Sequence, residues 1–312
     1  MRAPVRAVRV AILSAFLAAG LEAGGAGGAE AADKIRVVAT ITDLKALTEA
    51  VGGDLVEVDV LARGNQNPHD LEVRPSLMVK VRRADLLVIN GLEGDAWVEA
   101  VVRGASNPRV LPGAPGRVDA SDGIMVLEVP RARVDRSMGD VHPMGNPHYT
   151  LDPGMAPAVT ANILNGLVRV APQHRAALEG NRQAFLGLLE PALARWTATL
   201  APVRGTRVVV EHGIFTYLLV RFGLIQAATI EERPGIPATP AHVAKLIQQI
   251  KEERIKAILT VPWGDRKLAA RIGEEAGARV VPLAPAVSGL KGADTYLSTV
   301  DYNVTALATA LK

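Results

Sequence analysis

Six histidines and no cysteine limit the chemistry open to this 312-residue chain. A metal site here must be built from imidazole, carboxylate or water, because thiolate ligands and disulfides are both excluded. Two of the six histidines follow the same dipeptide, in Asn67-Pro68-His69-Asp70 and in Asn146-Pro147-His148-Tyr149. Proline fixes its own φ and biases the residue before it towards extended geometry, so each imidazole is presented from a restrained loop. Such restraint suits a metal ligand, although a single Asn-Pro is also ordinary turn chemistry. A third imidazole, His212, directly follows the apolar run Val208-Val209-Val210-Glu211, and Asp294 immediately precedes a helix-like segment. His69, His148, His212 and Asp294 all fall at the ends of strand-like runs, where open parallel sheets bind ligands. Three neutral imidazoles and one carboxylate would form a tetrahedral N₃O set suited to zinc.

Each of these residues also has a reading without a metal. Asp294 is well placed as the N-cap of the helix that follows it. His212-Gly213 could be a turn whose ring bonds to backbone. His174 and His242 lie early in helices and read as surface residues, and His142 has no positional logic beyond its loop, six residues before His148.

The elements that would carry these residues alternate. Strand-like Ile35 to Thr40, Leu55 to Leu61 and Leu86 to Asn90 are separated by helical runs at Asp43 to Val51 and Pro75 to Ala84. The alternation restarts with strands at Arg207 to Glu211, Leu224 to Ile230, Ile255 to Val261 and Arg279 to Leu283. Helices near Ile214 to Phe222, Pro240 to Lys251, Asp265 to Ala276 and Thr295 to Leu311 lie between and after them. Such a pattern predicts an α/β fold with two parallel sheets flanked by helices. Between the halves, Pro172 to Leu200 repeats Leu178, Phe185, Leu189, Leu193, Trp196 and Leu200 at helical spacing, a rigid strut that Pro191 should kink or split. From Pro112 to Gly145 the order loosens. Ile124 to Val129 reads as a further strand, and Arg131 to Gly145 as an exposed loop.

The first residues read as a leader. Arg2, Arg6 and Arg9 precede the apolar run Val10 to Leu21, and Ala29-Glu30-Ala31 forms a small-x-small cleavage site, together a signal peptide for export. The expected organisation is therefore a signal peptide at 1–31, an N-terminal α/β lobe at 32–170, a linker helix at 171–200 and a C-terminal α/β lobe at 201–312. The apolar run is too short to span a bilayer. With 49% hydrophobic and 21% charged residues the chain is globular. The basic balance is thin, at 35 Lys and Arg against 32 Asp and Glu. Removing Arg2, Arg6, Arg9, Glu22 and Glu30 with the leader leaves 32 against 30. Scattered basic residues and few aromatic platforms argue against nucleic-acid binding.

Four segments resemble, in order, the zinc- and manganese-binding solute receptors of ABC importers (cluster A-I). They are Asn67 to Glu72 with Pro75-Ser76, Asn146 to Pro153, Glu211 to Leu218, and Asp294 to Ser298 with Asn303. The resemblance covers nearly the whole mature chain, and its two Asn-Pro-His blocks are the specific part. It implies two α/β lobes joined by one long rigid helix, with the ion in the cleft between them, and carries the ligand role onto His69, His148, His212 and Asp294. It further implies a monomeric periplasmic receptor, not an enzyme, that captures Zn(II) as its transported ligand. The implied partners are the transmembrane permease subunit of an ABC importer and a periplasmic zinc metallochaperone. Zinc receptors of this kind often carry a long His- and acid-rich loop before the second His. Here Pro112 to Pro147 holds only His142 with Asp119, Asp122, Asp135 and Asp140. A manganese receptor of the same family, a zinc-dependent hydrolase using Glu211 as base, and a receptor for a small organic solute are the competing readings. Nitrogen at position 212, where manganese receptors of the family place a carboxylate, favours zinc.

Overall fold

Residues 34–134, 138–139 and 141–312 are described by the computed structural model of the chain. The expected signal peptide, together with Asp135 and Asp140 of the loop, lies outside the described residues. Ile35–Ala39 forms β1, whose Val37 and Ala39 point into the core, and it leads to α1 (Thr42–Gly52). That helix buries Leu44, Leu47 and Val51, and its C-cap Gly53 takes a positive φ of 53°. Next come β2 (Val56–Val60), α2 (Pro75–Arg82), β3 (Leu86–Ile89), α3 (Val98–Ala105) and β4 (Arg117–Asp119). All pairings are parallel, in the order β2-β1-β3-β4. β3 is an unbroken apolar run buried at every residue, as an inner strand covered on both faces must be.

Two helices, α4 (Ala156–Val170) and α5 (Arg175–Leu200), separate this sheet from a second one. There β5 (Arg207–Val210), α6 (Thr216–Phe222), β6 (Ile225–Thr229), α7 (Pro240–Glu253), β7 (Ala257–Thr260), α8 (Arg266–Ala276), β8 (Arg279–Pro282) and α9 (Tyr296–Leu311) follow in turn. The second sheet is again parallel, in the equivalent order β6-β5-β7-β8. Each half is thus a small α/β lobe, as the alternation predicts.

Two expectations need correction. Ile124 to Val129 joins no sheet, and the fourth strand of the first sheet is Arg117–Asp119 instead. Glu128 adopts a positive φ of 55°, which a strand does not, and the backbone around Leu127 is engaged elsewhere. Its amide donates to Tyr217 Oη at 2.9 Å, and its carbonyl accepts from the Asn146 amide at 2.9 Å. Nor does Pro191 split the long helix: α5 runs unbroken for 26 residues. Pro191 and Gly187, whose carbonyl loses its partner, both lie on the exposed face, where water can take that hydrogen bond.

The buried stripe of α5 joins the lobes. Leu178, Phe185, Leu189, Trp196 and Leu200 belong to one hydrophobic cluster that also contains Val37 of β1 and Val208 of β5. The helix packs on α1 and α4 on one side and on α9 on the other. Trp196 donates its Nε1–H to Asp301 of α9 at 2.5 Å. Polar contacts reinforce the seam. Buried Asp43 accepts from the Val287 amide at 2.7 Å and from Thr150 Oγ1 at 2.8 Å. Burial pushes its carboxyl up to about 6, against those two bonds. Tyr296 Oη donates to the Thr150 carbonyl at 2.8 Å, and Arg221 of α6 grips Asp152 through Nε at 2.5 Å and Nη2 at 2.8 Å. Gly154 makes room for that guanidinium, since a Cβ there would meet Nη2 at 2.1 Å.

Because Trp196 is 1% exposed and serves a core common to both lobes, Trp196→Ala should lower stability by about 3–5 kcal/mol in one cooperative urea transition. A loss below about 1 kcal/mol, or a second transition for one lobe alone, would contradict this picture of the shared core.

Candidate metal centre

Both Asn-Pro-His segments fold into the same local device. In the first, Asn67 Oδ1 accepts the His69 amide at 3.2 Å, and Pro68–Asp70 winds into a single 3-10 turn. In the second, Asn146 Oδ1 accepts the His148 amide at 2.9 Å. These are Asx-turns, in which the side chain of Asn substitutes for a backbone acceptor while proline holds the intervening φ. Trp97 Nε1 donates to the Pro68 carbonyl at 2.8 Å, and Tyr217 Oη to the Asn146 carbonyl at 3.0 Å, so both turns are anchored from behind.

The turns bring His69 and His148 face to edge, with ring centroids 5.3 Å apart and Nε2 atoms 3.2 Å apart. For two ligands ~2.0–2.1 Å from a tetrahedral zinc ion, the expected nitrogen separation is ~3.3 Å. His212 enters from the other lobe, one residue beyond Glu211 at the carboxyl end of β5, with its ring 6.5 Å from that of His148. The structure thus brings His69, His148 and His212 together, at the strand-end crevice between the two sheets.

Their orientation is set from outside. His148 Nδ1 lies 2.8 Å from Asn146 Oδ1, and Asn146 is itself oriented by donating Nδ2 to Glu128 at 2.6 Å and to the Gly213 carbonyl at 3.2 Å. His212 Nδ1 lies 2.7 Å from Glu231 Oε2, which also accepts the Gly235 amide at 2.7 Å. With Nδ1–H given to an oxygen, the lone pair sits on Nε2 and faces the cleft, the arrangement common to histidine ligands. Adjacent Glu211 points elsewhere: Oε2 accepts the Val261 amide at 3.1 Å, and the carboxylate is packed against Gly264. The strand ends so that only one of the two neighbours reaches the cleft, and Glu211 is not placed as a base there.

Asp294 stands apart. It is exposed, and among the described residues its carboxylate makes no hydrogen bond or ion pair with the histidines. Nor is it the helix cap. That role belongs to Thr295, whose Oγ1 accepts the Ser298 amide at 3.1 Å while Ser298 Oγ accepts the Thr295 amide at 2.8 Å. His142, in contrast, lies in the cleft, 4.8 Å from His69 and 6.5 Å from His148 between ring centroids. Its six-residue distance from His148 was the only sequence signal for this. His174 and His242 are half-buried rather than exposed, and His242 Nε2 is spent on the Thr229 carbonyl at 2.9 Å.

Burial drives His69, His142 and His148 towards the neutral form, and the neighbouring imidazoles add to the effect. His69 is lowered to about 3, His142 to about 4, and His148 well below its ordinary value. For His69 the Gly94 backbone pulls weakly the other way. Neutral imidazole is the form that binds a metal. As the side chains stand, no three His, Asp or Glu groups among the described residues are spaced to hold one ion. The rings are gathered at contact distance, and closing on an ion requires them to turn inward. Beside them, a cavity of about 380 Å³ lined by Glu128, His142, His148, His212, Glu231 and Glu232 offers an acidic approach.

Set against known proteins, residues 37–310 match the family of zinc-uptake complex component A, periplasmic (ZnuA). The chain belongs to that family. A crystal structure of ZnuA shares its fold with a TM-score of 0.77 and 25% identity, covering 90% of this chain and 100% of that one. The zinc-binding lipoprotein AdcA of Streptococcus pneumoniae is 24% identical over 285 residues, 89% of this chain but 56% of AdcA. The chain therefore spans little more than half the length of that relative. The iron-binding protein YfeA of Yersinia pestis is 26% identical over 287 residues, 89% of this chain and 87% of YfeA. That family is described as the periplasmic component of a zinc-uptake complex.

The neutrality of His69 has a pH signature in the metal-free protein. Between 6.5 and about 3 the unfolded chain takes up the proton and the folded chain does not. The stability that this imparts is complete above 6.5 and is lost as pH falls towards about 3. Relative to His69→Gln, the melting temperature of the natural chain should therefore fall on acidification from about pH 7 to about pH 5. A difference that stays constant or grows would show that His69 is protonated in the folded state.

Proposed function

We propose that the protein captures Zn(II) between its lobes through His69, His148 and His212 and delivers it to the membrane permease of an ABC importer. The observation that carries this reading is the pair of Nε2 atoms 3.2 Å apart, from two separate Asn-Pro-His turns, with the His212 ring facing them from the other lobe. Asn146 and Glu231 hold the two Nδ1 atoms, so no rearrangement of tautomers is needed on binding. Ligands drawn from both lobes also give a permease something to recognise, because the ion holds the lobes together. Asp294, expected as the fourth ligand, lies exposed ahead of the α9 cap.

Relatives of this chain carry names of zinc-binding and iron-binding proteins alike, so the choice of metal rests on the donors. Imidazole nitrogen favours zinc, and the intrinsic order of affinities already runs upward from manganese through iron towards zinc. A carboxylate-rich site would narrow that difference. Among the described residues the groups facing one another in ring contact are imidazoles, with Glu128, Glu231 and Glu232 lining the cavity beside them.

An ion bound only by the folded state stabilises it by about 2.7 kcal/mol at one hundred times the dissociation constant. Zinc should accordingly raise the melting temperature, His148→Ala should abolish most of that rise, and His174→Ala should leave it intact. An undiminished rise in His148→Ala would sink the assignment.

Selectivity is checked by competition titration. Zinc should displace manganese and iron from the natural chain, and His212→Glu should narrow the gap to manganese. Preference for manganese in the natural chain, or zinc affinity unaffected by His212→Ala, would overturn the choice of metal while leaving the family membership untouched.

A further inference from the structure

Among the described residues, few buried side-chain polar atoms lack a hydrogen-bond partner, and His142 Nε2 is one of them. A buried nitrogen without a partner is unfavourable unless something absent from the protein alone completes it. The ring is not loosely placed. It leans over His69 at 38° with centroids 4.8 Å apart, and its other neighbour in the cleft is His148 at 6.5 Å. Behind it the His142 carbonyl accepts the Gly145 amide at 3.1 Å, and the Asn146 amide is fixed on the Leu127 carbonyl at 2.9 Å. The turn that carries His142 is therefore continuous with the turn that presents His148. On its other flank, Gly139 lies so close to the second lobe that a Cβ there would meet the Pro234 carbonyl at 2.1 Å.

We infer that His142 is the fourth ligand of the transported ion, giving an all-nitrogen site of His69, His142, His148 and His212 in which Asp294 has no part. The inference rests on the zinc-receptor reading and names the donor that reading leaves open. Four neutral imidazoles leave the full dipositive charge of the ion uncompensated by its ligands. That charge is balanced from outside by Glu231, hydrogen-bonded to His212, and by Glu128, hydrogen-bonded to Asn146. Carboxylates acting through a histidine or an asparagine raise the basicity of the ring without adding a hard oxygen donor, which disfavours manganese. The expected carboxylate ligand is replaced by carboxylates one bond further out.

The test uses the mature chain, zinc as the probe, and four proteins: natural, His142→Ala, His148→Ala and Asp294→Ala. His142→Ala should weaken zinc by at least about tenfold, in the direction of His148→Ala, while Asp294→Ala should bind as the natural chain does. X-ray absorption of the zinc-loaded natural protein should show four imidazoles, and that of His142→Ala three plus one light oxygen donor. Because His142 Nε2 bonds to nothing in the metal-free protein, His142→Ala should melt within a degree or two of the natural chain without zinc. If it fails to fold, the absorption spectrum of the natural protein decides alone. Three imidazoles in that spectrum, unchanged affinity in His142→Ala, or a tenfold loss in Asp294→Ala would each overturn the inference. If zinc does not bind the natural chain, or if His148→Ala binds it undiminished, the receptor reading itself fails, a result distinct from failure at position 142.

Discussion

Imidazoles that share a small cleft must all stay neutral, and they must all turn the same nitrogen towards the same point. Most of the structure around the site serves these two requirements. For His69, His142 and His148 burial meets the first, since these rings would be protonated at the cost of their own desolvation and of repulsion from neighbouring imidazoles. The oxygens of Asn146 and Glu231 meet the second by taking the Nδ1 protons of His148 and His212. Without those partners each ring could flip or change tautomer, and a free Nε2 lone pair would be present only part of the time.

A site made from two lobes is only as exact as the joint between them. Here the joint is a 26-residue helix whose buried face is shared by both cores, so the lobes do not hang on a flexible linker. The seam near the cleft is polar and directional. Asp43 with Val287, Tyr296 with Thr150, and Arg221 with Asp152 each join one lobe to the other with defined geometry. Hydrogen bonds of this kind add little net stability individually, but they are sensitive to orientation, which fixes the approach of His212 to the two turns opposite.

In the proposed site, selectivity for zinc would follow from where the negative charge is kept. Glu211, nearest in sequence to a ligand position, faces the interior of its own lobe, and the carboxylates of Glu128 and Glu231 touch residues that touch the ion's place. A hard cation gains little from charge at that remove, whereas the basicity of an imidazole gains directly. The same carboxylates line the approach, so a hydrated cation meets negative charge before it meets nitrogen.

Much of this was legible in the sequence because its causes are local. An Asn-Pro-His turn is decided within four residues by the φ of proline and the reach of an asparagine side chain, so both restrained histidines could be named without coordinates. Strand and helix alternation, the long helix, and His212 at a strand end depend likewise on short-range periodicity. The strand expected at Ile124 to Val129 failed because its backbone bonds to Asn146 and Tyr217, partners that no local pattern reveals. Asp294 and His142 differ for the same reason. Whether a side chain next to a cap or within a loop faces a cleft depends on how segments more than a hundred residues apart pack. Sequence by itself determined which residues could bind a metal and which turns would hold them. Only the tertiary structure decided which of them meet, because convergence is a property of packing between lobes and not of any one segment.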